Sequence, residues 1–210
     1  MTELIPNEAV LQDMRRWLER AVIGLNLCPF AKAVHVKGQI HYAVSKALSP
    51  NELKSDLRSE LKALKDIEAE VRDTTLLIAP YCLADFFDFN DFLAEADQAL
   101  VDMGLGGTIQ IASFHPDYQF AGTTKTDISN ATNQAPYPTL HLLREASIDK
   151  AVAAFPEPEA IFEQNMKTLE KLGHEGWSEL DVGPSSVGNQ RQEIPIVAKG
   201  FSISHGKIKP

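Results

Sequence analysis

At 210 residues, with 44% apolar and 23% charged side chains, the chain has the length and composition of one globular domain with a sizeable core. Lys and Arg number 20 against 29 Asp and Glu, a formal net charge of −9 that speaks against a nucleic-acid or anionic-membrane surface, because phosphate binding needs clustered positive charge. No apolar run reaches membrane length and MTELIPNEAVLQDMRRW lacks a signal-peptide pattern, so the expectation is a cytoplasmic protein with Cys28 and Cys82 as free thiols.

Asn7 is placed to cap a first helix whose apolar positions Val10, Leu11, Met14, Trp17, Leu18, Ala21, Val22 and Leu25 repeat with the 3.6-residue period. Pro29 ends it, and Gly24-Leu25-Asn26-Leu27-Cys28 leaves Cys28 at a turn. His35 to Val44 reads as a first strand with a turn or bulge at Gly38. Ser49-Pro50-Asn51-Glu52 combines a capping box with proline at the first helical position, and Leu53, Leu57, Leu61, Leu64, Ile67 and Val71 form one face of the helix that follows.

Thr74 to Ala79 is a short β-branched, apolar run suited to a buried strand. Asp88 or Asn90 caps the next helix, with Phe92, Leu93, Ala96, Leu100 and Met103 inward and Gly104 at its end. The glycines at 104, 106 and 107 follow a helix and open a strand, the reverse of a phosphate-binding loop.

Thr108 to His115 alternates as a strand, and Pro116 stops it. The next segment, through Tyr137, is long and polar but carries Tyr118, Phe120 and Tyr137, a mixture that suits an ordered loop over a site better than a disordered one. Thr139 to Glu145 follows as a second strand, antiparallel to the first because no crossover helix intervenes, with a helix over 139–154 as the rival reading. Beyond it, Ser147 caps a short helix through Phe155 and Pro158 starts another that Gly173 ends. Residues 1–176 are expected to form a single globular α/β domain and 177–210 a C-terminal tail or extension. The fold class is α/β (α+β), a mixed sheet with helices packed on it, in the manner of a ferredoxin-like sandwich with additions.

RWLERAVIGLNLCPFAKAV (16–34), DFFDFNDFL (85–93), IQIASFHPDYQFAGT (109–123) and NATNQAPYPTLHLLREAS (130–147) together resemble the bacterial family catalogued as domain of unknown function 1415. The resemblance spans roughly residues 10 to 175. It implies a bacterial cytosolic protein and assigns no reaction, ligand or catalytic residue.

Chemistry must therefore come from the residues themselves, and three readings stand side by side. In the first, a thiol-dependent hydrolase or amidase, Cys28 is the nucleophile and His115 or His141 the base, with Asn26, Asn130, Asn133 or Asp117 orienting the base or stabilising an oxyanion. The second is a metal-dependent enzyme with zinc or iron on His115, His141 and Cys28 or Glu145; the other readings need no cofactor. The third is a non-catalytic pocket in which Arg144, His115 and the asparagines hold an anionic or amide-bearing small molecule while Tyr118, Phe120 and Tyr137 close over it, with Glu145 at the strand end. All three require the imidazoles and the thiol to converge beneath the loop. Against them, Cys28 suits a small buried apolar residue, His115 a backbone bond, Asn130 and Asn133 turn formation, and His35, His41, His174 and His205 the surface.

Overall fold

A computed structural model describes residues 5–153 and 160–185. The elements run α1 (Asn7–Trp17), α2 (Ala31–Val36), β1 (Ile40–Val44), α3 (Pro50–Asp66), β2 (Thr74–Ile78), α4 (Phe86–Asp102), β3 (Ile109–Phe114), a 3₁₀ turn (Ile128–Asn133), β4 (Thr139–Arg144), α5 (Glu145–Ala153) and α6 (Ala160–Glu179). Several boundaries depart from the sequence reading. Asn7 is the first helical residue and not the cap, which falls on Pro6 without a side-chain bond. After Trp17 the helix widens into π turns over Leu18–Ile23, where Gly24 N–H reaches Glu19 O at 3.0 Å and Leu27 N–H reaches Val22 O at 2.9 Å. A Cβ at position 24 would lie 2.2 Å from the Arg20 carbonyl oxygen, so only glycine fits that exit.

The segment expected as a strand from His35 is split: Ala31–Val36 is helical, Gly38 turns the chain with φ +68°, and the strand occupies only Ile40–Val44. α3 begins as the capping box requires, with Glu52 N–H donating to Ser49 Oγ at 3.4 Å and Leu48 N–H to Glu52 Oε2 at 2.7 Å. It stops at Asp66, short of Val71, which is exposed. Asp85, not Asp88 or Asn90, caps α4 by accepting from Phe87 and Asp88 N–H. Ser147 lies inside α5, where its hydroxyl donates to Asp73, and Phe155 and Pro158 lie outside the described residues.

The sheet is mixed, in the order β1-β2-β4-β3, with β1 parallel to β2 and β4 antiparallel to both its neighbours. β2, α4 and β3 form a split β-α-β unit, the motif on which a ferredoxin-like sheet turns, and β4 fills the gap. The steps from β1 to β2 and from β2 to β3 move the same way across the sheet, so right-handed crossovers put α3 and α4 on one face. There Leu53, Leu57, Leu61 and Leu64 meet Phe89, Phe92 and Ala96 over Leu77, Ile109, Leu140 and Leu142. That leaves the second face for α1 and its π turns, whose Val10, Met14, Trp17, Ala21 and Val22 cover Leu76 and Ile78. A smaller cluster, Leu27, Ala131 and Leu169, fastens α6 to the 3₁₀ turn. No described helix is long and apolar enough to cross a membrane.

Candidate functional site

Two faces mean two environments, and strand register decides which histidine enters which. Ala112 pairs with His141, which sets His141 on the α1 face with Leu76 and Phe114. His115 continues the other side of β3 and lies against Phe86 and Phe89 of α4, with ring centroids 5.4 and 5.1 Å away. The two imidazoles therefore point to opposite sides of the sheet and do not meet in the single cavity expected to hold both.

His115 is fully buried, and both of its ring nitrogens are engaged by backbone. Asp117 N–H donates to Nδ1 at 3.0 Å, so the proton sits on Nε2, which donates to Leu83 O at 3.1 Å. Burial pulls its pKa below the ordinary value, against the opposing influence of the Leu83 carbonyl and the Asp117 and Asp85 carboxylates. This is a neutral brace that ties the start of the loop to Leu83, in the turn that leads into α4.

His141 is set differently. Thr74 Oγ1 donates to Leu142 O at 2.7 Å, so its remaining role toward His141, 2.7 Å away, is to accept from Nε2–H. Nδ1 then carries a lone pair that no hydrogen bond among the described residues engages. Burial lowers the pKa to about 4, so the ring is neutral at physiological pH.

Cys28 packs on the α1 side, against the cluster that holds Trp17, Leu76 and Ile78. Burial pushes its thiol up, a shift only partly opposed by the backbone N–H groups of Phe30 and Ala31. Asn26 is exposed and left-handed, φ +56°, which makes it the residue that turns the chain out of the π turns.

The loop is ordered by its own polar side chains. Asn130, fully buried, accepts from Phe120 N–H at 3.0 Å and Thr123 Oγ1 at 2.9 Å and donates to Thr124 O at 2.9 Å. Asn133 donates to Ser113 O at 3.3 Å, while its own carbonyl accepts from His115 N–H. Asp117 pairs with Lys125 at 3.6 Å near the surface, and the Tyr118 ring lies between Phe86 and Phe120. Tyr137 turns inward to Asp13. Arg144 donates to the Leu64, Ile67 and Arg72 carbonyls, closing the C-terminal end of α3, and Glu145 opens α5 with its N–H on Thr108 O. Among the described residues no group of three His, Cys, Asp or Glu side chains is placed to hold a metal ion.

The structure does form a cavity beside the loop, but with different residues. About 340 Å³ opens between Lys125, Thr126, Asp127, Ile128, Ala131 and Gln134 on one wall and His174 and Trp177 of α6 on the other. α6 presents that second wall because it breaks at Gly173, whose φ of +67° and ψ of 178° interrupt the helix. Asp127 caps the 3₁₀ turn through Ser129 N–H at 2.9 Å, and its carboxyl is held low mainly by those Ser129 bonds. A second hollow of about 310 Å³ lies by Ser45, Lys46, Asp56 and Glu60, but Ser45 already donates to Asp56 at 2.6 Å and no aromatic ring faces it.

A family model described as "Protein of unknown function (DUF1415)" matches residues 9–179. The chain belongs to that family. No curated protein and no solved structure matches it. In this DUF1415 protein every cavity residue lies within the matched span. Lys125, Gln134, His174 and Trp177 escape a reading of the sequence because the two walls come from separate segments and Gly173 reads as a helix end. The signal available is His174 and Trp177 themselves, three residues apart and so on one side of a helical turn. α6 also crosses the boundary expected at 176/177, and Asp181 and Gly183 continue onto α1, where their carbonyls accept from Arg16 at 2.6 and 2.8 Å.

Proposed function

We propose that this DUF1415 protein binds a small molecule, a planar metabolite carrying a negatively charged group, between the Lys125–Gln134 segment and α6. The carrying observation is the cavity of about 340 Å³ with an indole on one wall and a lysine on the other. Its volume lies within the range of roughly 300–1,000 Å³ usual for metabolite sites. Trp177, Ile128 and Ala131 supply apolar surface for a ring, and Lys125 and His174 supply donors for an anion. Asp127 is turned to Ser129 N–H. The test is a thermal-shift screen of anionic and neutral metabolites, followed by titration of tryptophan emission. Hits should lose binding in Trp177→Ala and weaken about tenfold in Lys125→Ala, the scale of one charge-assisted hydrogen bond. A screen without hits, or hits that bind Trp177→Ala equally well, would overturn it.

One observation favours a second reading, thiol chemistry with Cys28 as nucleophile and His141 as base. Both lie on the α1 side of the sheet, and Nδ1 of His141 has its lone pair available. The burial-raised thiol weighs against it.

A further inference from the structure

A row of aromatic rings, half-buried in its middle and exposed at its ends, runs from the start of α4 to the start of α6. Phe87 and Phe86 have centroids 6.1 Å apart, Phe86 and Tyr118 5.2 Å, Tyr118 and Phe120 5.1 Å, and Phe120 and Phe162 6.2 Å. Its two ends are open, with Phe87 74% and Phe162 54% exposed. Phe86 leans on the core beside Phe89 and Phe92, but the core does not account for the two ends, since neither Phe87 nor Phe162 belongs to it. Contiguous exposed apolar surface with a polar rim is the mark of a binding face, whereas scattered single side chains are not.

The rim has a sign. Asp85 and Asp88 stand exposed beside Phe86 and Phe87 in the first turn of α4. Asp117 precedes Tyr118, and its carboxylate and that of Asp85 both act on His115, whose ring contacts Phe86. Lys125 pairs with Asp117 at this edge. A second copy of the chain, with a net charge of −9, would bring the same acids against these. A basic partner meets both features, since guanidinium groups stack on aromatic faces and pair with carboxylates.

We propose that the row from Phe87 to Phe162 is the docking surface for a basic, arginine-bearing segment of a partner protein, with guanidinium groups stacked on the rings and paired to Asp85, Asp88 and Asp117. Arginine and aromatic side chains are the groups enriched at the energetic centres of such interfaces. The test titrates the full-length protein into a fluorescein-labelled peptide of alternating Arg and Leu, with the Glu–Leu peptide as control, and reads anisotropy. The Arg peptide should bind and the control should not. Affinity should fall at least tenfold in the Phe87→Ala/Phe162→Ala double variant and again in Asp88→Asn, with melting temperatures unchanged because these side chains are exposed. Absence of binding overturns the proposal. So does binding that survives loss of the rings, which would be general attraction to an acidic chain. A wild-type dimer in sedimentation that Phe87→Ala/Phe162→Ala dissociates would also overturn it, by assigning the row to self-association.

Discussion

The Tyr137 hydroxyl donates to Oδ2 of Asp13 over 2.8 Å, joining the last residues of the loop to the middle of α1 inside a site closed to solvent. Burial alone would push the Asp13 carboxyl up. The Ser185 hydroxyl and N–H, Tyr137 and Arg16, whose guanidinium lies 2.8 Å away, more than offset that and hold it below its ordinary value. A carboxyl depressed in this way stabilises the fold above the unfolded-chain pKa of about 3.9, and the contribution is lost as pH falls through the lower folded value. Tyr137→Phe should cost about 1–2 kcal/mol, and Asp13→Ala, which leaves the Tyr137 hydroxyl and the Ser185 N–H without their acceptor while Arg16 keeps the Asp181 and Gly183 carbonyls, about 2–4 kcal/mol. Urea unfolding at pH 7 measures both. A Tyr137→Phe variant as stable as wild type would show that the bond contributes nothing.

The two imidazoles, His115 buried and His141 partly so, set a second, higher pH window. His141 has its pKa lowered from 6.5 to about 4, so between those values the unfolded chain takes up a proton that the folded chain refuses. Stability is then undiminished above pH 6.5, falls as pH drops toward 4, and levels off below. His141 alone accounts for a loss on the order of 3 kcal/mol, and His115, shifted the same way by burial, adds to it. His141→Asn should flatten the profile of unfolding free energy between pH 6.5 and 4. An unchanged slope would mean that the ring titrates normally in the fold.

Gly173 controls the second wall of the cavity through backbone conformation and not through crowding, since a Cβ there would meet nothing within 4 Å at a φ of +67°. Gly173→Ala should therefore cost about 1 kcal/mol in thermal unfolding and pull α6 toward a continuous helix, swinging His174 and Trp177 away from the loop. The reading is a weakened response of tryptophan emission to ligand at near-native melting temperature. A variant with wild-type affinity would separate the kink from the site.

What the sequence discloses and what it hides follow from the range of the interactions involved. Ser49, Pro50 and Glu52 announce α3 because the capping bonds lie within one turn, and the Leu53 to Leu64 stripe needs only helical geometry to find its face. The mixed α+β sheet follows from the alternation of such locally marked elements. Ala31–Val36 stays hidden because fewer than two turns cannot establish a period. The opposition of His115 and His141 rests on the Ala112–His141 pairing, a register fixed by how the intervening loop folds and by nothing adjacent to either residue. The polar loop proves to be ordered, but Asn130 and Asn133 spend their amides on backbone.

The Cys28 thiol gives the enzymatic reading its sharpest trial. Burial raises its pKa, and Cys82 is pushed higher, to about 11, mainly by burial and then by Glu52 and Asp56. The thiolate is the attacking species, so both should alkylate with iodoacetamide at pH 7.5 more slowly than a free cysteine of pKa about 8.5, with Cys28, the less buried, reacting first. Mass spectrometry of the time course follows each site. Rapid modification of Cys28 that slows in His141→Asn would establish the pair as a nucleophile and its base and displace the ligand-binding reading.

Asn130 organises the loop that supplies the first wall. Its carbonyl oxygen takes Phe120 N–H and Thr123 Oγ1, and its amide nitrogen serves Thr124 O, so the turn before Lys125 is pinned by one fully buried side chain. Removing that amide leaves the half-buried Phe120 N–H without its acceptor, at up to about 1–3 kcal/mol, while Thr123 Oγ1 keeps its bond to Phe120 O. The penalty is relieved by opening the turn to water rather than by unfolding the sheet, because β3 and β4 are anchored by Ile109, Leu140 and Leu142 in the other core. Asn130→Ala should accordingly speed amide hydrogen exchange from Phe120 to Asn133 while β2 and β4 keep their protection, and ligand affinity at the Lys125–Trp177 cavity should fall with it. Asn130→Asp at pH 7 retains the acceptor but sets a buried carboxylate oxygen against Thr124 O, so its exchange should be at least as fast as that of Asn130→Ala. Uniformly faster exchange across the sheet in Asn130→Ala would instead make the loop part of the global folding unit.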